Sequence, residues 1–179
     1  MNTHLQWTPS FNNQFGDRTI YRLFVLGDKI FAVGFEFVAT LDELSGKGIN
    51  IRSVNSTFHY PASGVWGVIF DEIDPVLLSF KGFQHIAHSG LGSGRVLLNV
   101  ASTILEHYNA CGAGAYVFSA AVDAAHLRRS DLVILYDRLL GLNGYVKGKL
   151  FREQFAGWKA SSDTLTGGRG YVITTTSYS

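Results

Sequence analysis

Gly90-Leu91-Gly92-Ser93-Gly94-Arg95 runs directly into Val96-Leu97-Leu98-Asn99-Val100-Ala101-Ser102-Thr103-Ile104-Leu105, and this junction of a glycine-rich turn with an amphipathic helix decides the class of fold. Alternating glycines let the backbone approach a ligand without Cβ hindrance, while the first N–H groups of the helix and its dipole face any arriving negative charge. The run reads as an anion cradle for a phosphate-bearing cofactor, and equally as a tight connection between a strand and a packing helix. From Gly94 to Tyr108 the apolar positions Val96, Leu97, Val100, Ala101, Ile104, Leu105 and Tyr108 keep the spacing of one helix face.

Working outward, Thr19 to Leu26 and Lys29 to Ala39 are rich in β-branched and aromatic residues about Gly27-Asp28, which predicts a hairpin. Thr40 predicts the cap of a short helix reaching Lys47, with Asp42 and Glu43 in its first turn and Gly46 and Gly48 stopping it. Gly64 to Ile73 and Val76 to Ile86 predict central strands on either side of Pro75. Beyond the glycine helix, Ala115 to Ala121 predicts a short buried strand. From His126 to Leu140 a second helix follows, with Leu132, Val133, Tyr136, Leu139 and Leu140 on its apolar face and Gly141 and Gly144 at its end. Tyr145 to Phe155 and Tyr171 to Thr176 predict two closing strands around a polar loop, Ala160 to Gly170. This order predicts an α/β (α+β) fold with a mixed sheet. It excludes a Rossmann domain, whose glycine fingerprint follows the first strand, and a P-loop, since no Gly-Lys-Ser/Thr follows these glycines.

The 179 residues, 46% hydrophobic and 13% aromatic, are enough for one domain with its own core. Fifteen Lys and Arg against 14 Asp and Glu leave a net charge of +1, so no global field draws the chain to nucleic acid or anionic lipid. The one cysteine, Cys111, excludes an internal disulfide framework and a multi-cysteine zinc site, as expected of a reducing, cytoplasmic location. Met1 to Trp7 carries no basic leader or apolar core, and no stretch has the length of a membrane span.

Gly92-Ser93-Gly94-Arg95-Val96-Leu97-Leu98 resembles the Gly-x-Gly-x-x-Leu-Leu start of the acetyl-CoA-binding helix in the GNAT acetyltransferase superfamily. A second match lies downstream. Tyr116-Val117-Phe118-Ser119-Ala120-Ala121, then Arg128 or Arg129, then Leu135-Tyr136-Asp137-Arg138-Leu139-Leu140-Gly141 resembles the next strand and helix of that family. It is especially similar to small phage-encoded members. The matches lie between Gly64 and Gly144, and the flanking strands agree in order. The resemblance implies one GNAT-like domain over residues 1–179, with a mostly antiparallel central sheet flanked by helices and two splayed central strands. It also implies acetyl-CoA, or another acyl-CoA, as co-substrate on Gly90, Leu91, Gly92, Ser93, Gly94, Arg95 and Ser119. The family has Arg or Gln three residues before its first glycine. Here Ser89 precedes Gly92, or Ala87 precedes Gly90, so the grip on a diphosphate falls to backbone N–H groups with Arg95 or Ser93.

Acyl transfer to an amine needs a deprotonated amine, oxyanion stabilisation and a proton for the departing thiolate. The resemblance makes Tyr136 the proton donor, although at helical spacing with Leu132, Leu139 and Leu140 a tyrosine also simply fills core space. Glu72 and His85, with Asp74 and His88, are candidates for taking the amine proton, and the same residues read as a solvated strand end and turn. His4, His59, His107 and His126 are scattered, which predicts no metal site. Cys111, Ser102 and Ser119 lack a nucleophile context.

The implied activity is N-acyl transfer to a primary amine on a small molecule, a protein or a modified nucleobase, in a host cytoplasm if the chain is phage-encoded, with no membrane partner. The contrasting expectation is a catalytically silent GNAT-fold binding or phage accessory protein. Arg128-Arg129, Arg138, Lys147, Lys149 and Arg152, interleaved with Phe151, Phe155 and Trp158, leave nucleic acid or the 3′-phosphate of coenzyme A as ligands of a basic segment, or a solvated charged face.

Overall fold

The computed structural model describes residues 19–77, 79–81, 91–120 and 132–179, with the backbone alone described at 91–93. In chain order the elements are β1 (Thr19–Leu26), β2 (Lys29–Val38), α1 (Leu41–Gly46), α2 (Ile51–Val54), β3 (Val65–Asp74), β4 (Ser79–Phe80) and α3 (Leu91–Cys111). They continue with β5 (Ala115–Ser119), α4 (Leu132–Leu140), α5 (Lys149–Gln154), β6 (Lys159–Ser162) and β7 (Gly170–Thr174). The fold is mixed α/β: a seven-stranded, mostly antiparallel open sheet with strand order β1-β2-β3-β5-β7-β6, β4 pairing β3, flanked by five helices among the described residues. The chain divides into two compact units, residues 1–37 with 67–112 and residues 38–66 with 113–179.

In the first unit β1 and β2 pair antiparallel from Thr19↔Glu36 to Leu26↔Lys29, and Gly27 takes φ +64° at the first place of the two-residue turn. A positive φ there matches the turn's twist to that of the strands. Gly34 allows a close approach, since a Cβ would stand 2.6 Å from the Tyr21 ring and 2.9 Å from Ile69. Helix α3 buries Val96, Leu97, Val100, Ala101, Thr103, Ile104 and His107, and Arg22 of β1 reaches Glu106 on it at 2.6 Å.

In the second unit Thr40 caps α1 by accepting the Glu43 N–H at 3.3 Å, and Glu43 accepts from Ala39 N at 2.9 Å. Asn50 caps α2, a helix the periodicity did not predict, by accepting from Ser53 N. These two short helices give Leu44, Ile51 and Val54 to a core shared with Val38, Val65, Ala115, Val117 and Val172. β7 lies between β5 and β6, registered Ala115↔Thr174 to Ser119↔Gly170 on one side and Lys159↔Thr174 to Ser162↔Tyr171 on the other.

Three expectations are corrected. The strand from Val76 to Ile86 is, among the described residues, only Ser79–Phe80. Asp74 Oδ1 accepts the N–H groups of Val76 at 2.8 Å and Leu77 at 2.9 Å, which turns the chain and leaves both side chains exposed. Tyr145 to Phe155 is not a strand, because Phe151 and Phe155 stack four residues apart at 5.2 Å on and just beyond α5. The closing partner of β7 is instead β6, Lys159–Ser162, which overlaps the start of the expected loop. Leu91, Gly92, Ser93 and Gly94 belong to helix, not to a turn preceding it, since glycine permits either conformation and Gly94 keeps a negative φ. Gly90, His85, His88, Ala121, Arg128, Arg129 and the stretch 126–131 lie outside the described residues.

Candidate functional site

Helix α4 ends as a Schellman motif: Leu142 N donates to Asp137 O at 2.8 Å, Gly141 N donates to Arg138 O at 3.4 Å, and Gly141 takes φ +68°. A Cβ at Gly141 would stand 2.5 Å from the Lys147 backbone. This stop places Tyr136 and Asp137 on the buried side of the last turns, at 4% and 5% exposure. The Tyr136 ring meets Phe118 of β5 edge-on at 5.5 Å and Tyr171 of β7 edge-on at 5.5 Å, while Phe118 and Tyr171 stack at 5.0 Å. Burial pushes the Tyr136 hydroxyl well above its ordinary range against the opposing charge of Arg169, so the phenol is neutral at neutral pH and a weaker acid than a solvated tyrosine.

Asp137 anchors the polar half of this site. Its Oδ1 accepts from the Tyr171 hydroxyl at 3.0 Å, its Oδ2 accepts from Asn143 Nδ2 at 2.9 Å, and Thr164 Oγ1 lies 3.3 Å from Oδ2. Asn143, in the left-handed region at φ +52°, also donates to Thr164 at 2.7 Å, and Ser162 lies 2.9 Å from Thr164. Burial raises the Tyr171 hydroxyl, and its hydrogen bond to the negative Asp137 raises it further. One rim is closed by Arg169, whose Nε donates to Ala120 O at 2.7 Å while Ala120 N donates to Arg169 O at 2.9 Å. Gly168 is obligatory below it, because a Cβ would fall 2.0 Å from the Asp163 carboxyl that receives Gly170 N.

Of the residues singled out from sequence, Tyr136 and Ser119 share this unit. Ser119 ends β5 next to Phe118 and is exposed. Arg95 is exposed on α3, and its carbonyl receives Asn99 Nδ2 at 2.9 Å. Glu72 sits in the other unit, 4% exposed rather than at a solvated strand end, with Lys81 Nζ 2.7 Å from Oε1 and Lys29 Nζ 3.3 Å from Oε2. Burial raises its carboxyl, but the hydrogen bonds and charges of Lys81 and Lys29 outweigh this and hold it below the ordinary range. A carboxylate so held is a poor proton acceptor. Phe151, Phe155 and Trp158 are buried among themselves and Tyr116, so they are not the base-stacking surface that their alternation with lysines and arginines allowed.

Among the described residues no group of three or more His, Cys, Asp or Glu side chains is arranged to hold a metal ion, and no helix is long and apolar enough to cross a membrane. Comparison with protein-family models, with curated proteins and with solved structures gives no match for this chain.

Proposed function

We propose that this chain is a GNAT-like N-acyltransferase that moves an acetyl or similar group from an acyl-CoA to a primary amine. The observation that carries the reading is Tyr136, a buried phenol packed edge-on against the Phe118 and Tyr171 rings beside β5, on the helix that follows the strand in the family's order. In that reaction the amine nitrogen bonds to the thioester carbonyl carbon, the carbon–sulfur bond breaks, and the Tyr136 hydroxyl gives its proton to the departing sulfur. The proton lost by the amine goes to water, and the Tyr136 phenolate regains its proton from solvent. Tyr136→Phe is expected to lower kcat about 100-fold in an acetyl-CoA turnover assay with a panel of amines, while leaving the melting temperature nearly unchanged. Retained turnover with the same pH profile removes Tyr136 from the acid role.

The start of α3 supports a place for the diphosphate. Glycine inside a helix costs about 1 kcal/mol relative to alanine, yet a Cβ at Gly94 would meet nothing within 4 Å among the described residues. Packing against the described residues therefore does not require the glycine, and the backbone there is open to a ligand. Gly94→Ala is expected to raise stability by up to about 1 kcal/mol and to weaken acetyl-CoA binding, read by urea unfolding and calorimetry on the same protein. Stabilisation with unchanged binding takes the ligand away from the start of α3.

The second reading, a silent binding protein of the same fold, is favoured by the engagement of Glu72 with Lys29 and Lys81. Thermal shift separates the two, since acetyl-CoA at about 100 times its dissociation constant adds roughly 2.7 kcal/mol of stability. No shift at millimolar coenzyme supports the silent protein.

A further inference from the structure

Two loops of the second unit hold apolar tips in solvent: Val146 is 82% exposed, Leu165 81%, and Tyr145 beside Val146 39%. Hydrogen bonds fix both loops. Asn143 donates to Thr164 Oγ1 at 2.7 Å, Tyr145 N to Leu142 O at 3.0 Å, Gly148 N to Leu139 O at 3.2 Å and Thr166 N to Asp163 O at 3.1 Å. The 143–147 loop and the Thr164–Thr166 turn are thereby fastened to each other and, through Asp137, to the buried end of α4. Positive charge gathers on the same stretch. Residues 138–169 contain Arg138, Lys147, Lys149, Arg152, Lys159 and Arg169 against Glu153 and Asp163 alone, although the whole chain carries only +1. Arg138 lies over the Tyr145 ring at 5.4 Å, and Lys147 follows Val146 directly. Of the two acids, Glu153 stands 4.0 Å from Lys149, and Asp163 is taken by the Gly170 N–H at 2.8 Å.

We propose that these loops dock the protein on an anionic membrane surface, with Val146 and Leu165 entering the interface and the neighbouring arginines and lysines meeting acidic headgroups. The inference is independent of the acyl-transfer reading and needs no spanning helix. A small apolar anchor and a cluster of cations each bind a bilayer weakly, and the two together supply the paired signals that lasting peripheral attachment takes. Tyr145 suits the boundary, with an apolar ring and a hydroxyl that stays wet. The long stems of Arg138 and Lys147 let their charges remain at headgroup level while the tips go deeper. Projecting aliphatic tips favour a bilayer over a folded partner, which would need a socket cut for each, whereas an interface accepts any projecting apolar group. They favour it over nucleic acid because aliphatic side chains add nothing on a phosphate backbone, and the aromatics that could stack on bases, Phe151, Phe155 and Trp158, are buried.

The test is co-sedimentation of the full chain with vesicles of phosphatidylcholine alone and of three parts phosphatidylcholine to one part phosphatidylserine, at about 0.1 M salt, beside retention on polyuridylate RNA. The protein is expected to sediment with the mixed vesicles and to stay in solution with the neutral ones. Val146→Ser combined with Leu165→Ser is expected to lower the vesicle partition about tenfold or more, and Arg138→Gln combined with Lys147→Gln about tenfold. All four side chains are at or near the surface, so melting temperatures close to that of the wild type are expected and are measured alongside. No sedimentation with the mixed vesicles, equal sedimentation with the neutral ones, or an unchanged partition in the folded serine pair overturns the proposal. Retention on RNA without sedimentation on vesicles also overturns it, and assigns the cations to nucleic acid.

Discussion

Replacing Asp137 by alanine is expected to remove about 3–4 kcal/mol of folding stability, the loss attached to leaving buried donors without their charged acceptor. The Tyr171 hydroxyl and the Asn143 amide both donate to this carboxylate, and Thr164 lies against it, so one truncation strands groups from β7, the 141–147 loop and the 3-10 turn at Thr164–Thr166. The loss is a large part of the stability of a domain this size. Urea unfolding is the measurement. Tyr171→Phe is expected to lose only about 1 kcal/mol, because it removes one donor and leaves Asp137 with Asn143 and Thr164. A loss below about 1 kcal/mol for Asp137→Ala shows that water replaces the network and that Tyr136 is not positioned through it.

Acid is expected to weaken the first unit through His107. This residue is 3% exposed and stacks on Phe35 at 4.1 Å, with Cys111 Sγ 3.3 Å from Nδ1, and burial lowers its pKa from 6.5 to about 4. The unfolded chain therefore binds a proton near pH 6.5 that the folded chain refuses until about pH 4. Stability is fully present above pH 6.5 and falls through that window, by about 2–3 kcal/mol in all. Urea midpoints at pH 7.5, 6 and 5 measure it in the wild type and in His107→Leu. The variant is expected to be flatter across the window whatever its stability at pH 7.5. An unchanged pH slope in the variant assigns the acid loss to other groups.

Elements with short-range chemistry were legible in the sequence. Gly27-Asp28 between β-rich runs marked the hairpin, Thr40 with Asp42 and Glu43 marked α1, and Gly141 marked the end of α4. Where tertiary packing decides, the pattern misled. Phe151 and Phe155 sit at helical spacing, but Tyr145-Val146 before them made the segment read as a strand. Lys159–Ser162 has nothing strand-like until β7 pairs with it. Tyr136 was visible, whereas Asp137, which anchors the polar network, was not, because Asn143, Thr164 and Tyr171 come to it from distant positions. One signal did exist: Asp137 lies at the spacing of Val133 and Leu140, and a charge on an apolar stripe asks for buried donors.

The placement of β7 between β5 and β6 also has a kinetic side. Val172 completes a core with Val38, Leu44 and Val65, residues more than a hundred positions earlier. A nascent chain that has emerged only as far as α5 holds β5 without its antiparallel partner and that core without its last wall. The second unit therefore closes through contacts of high sequence separation, so its folding is slow and dependent on the ribosome having delivered residues 170–174.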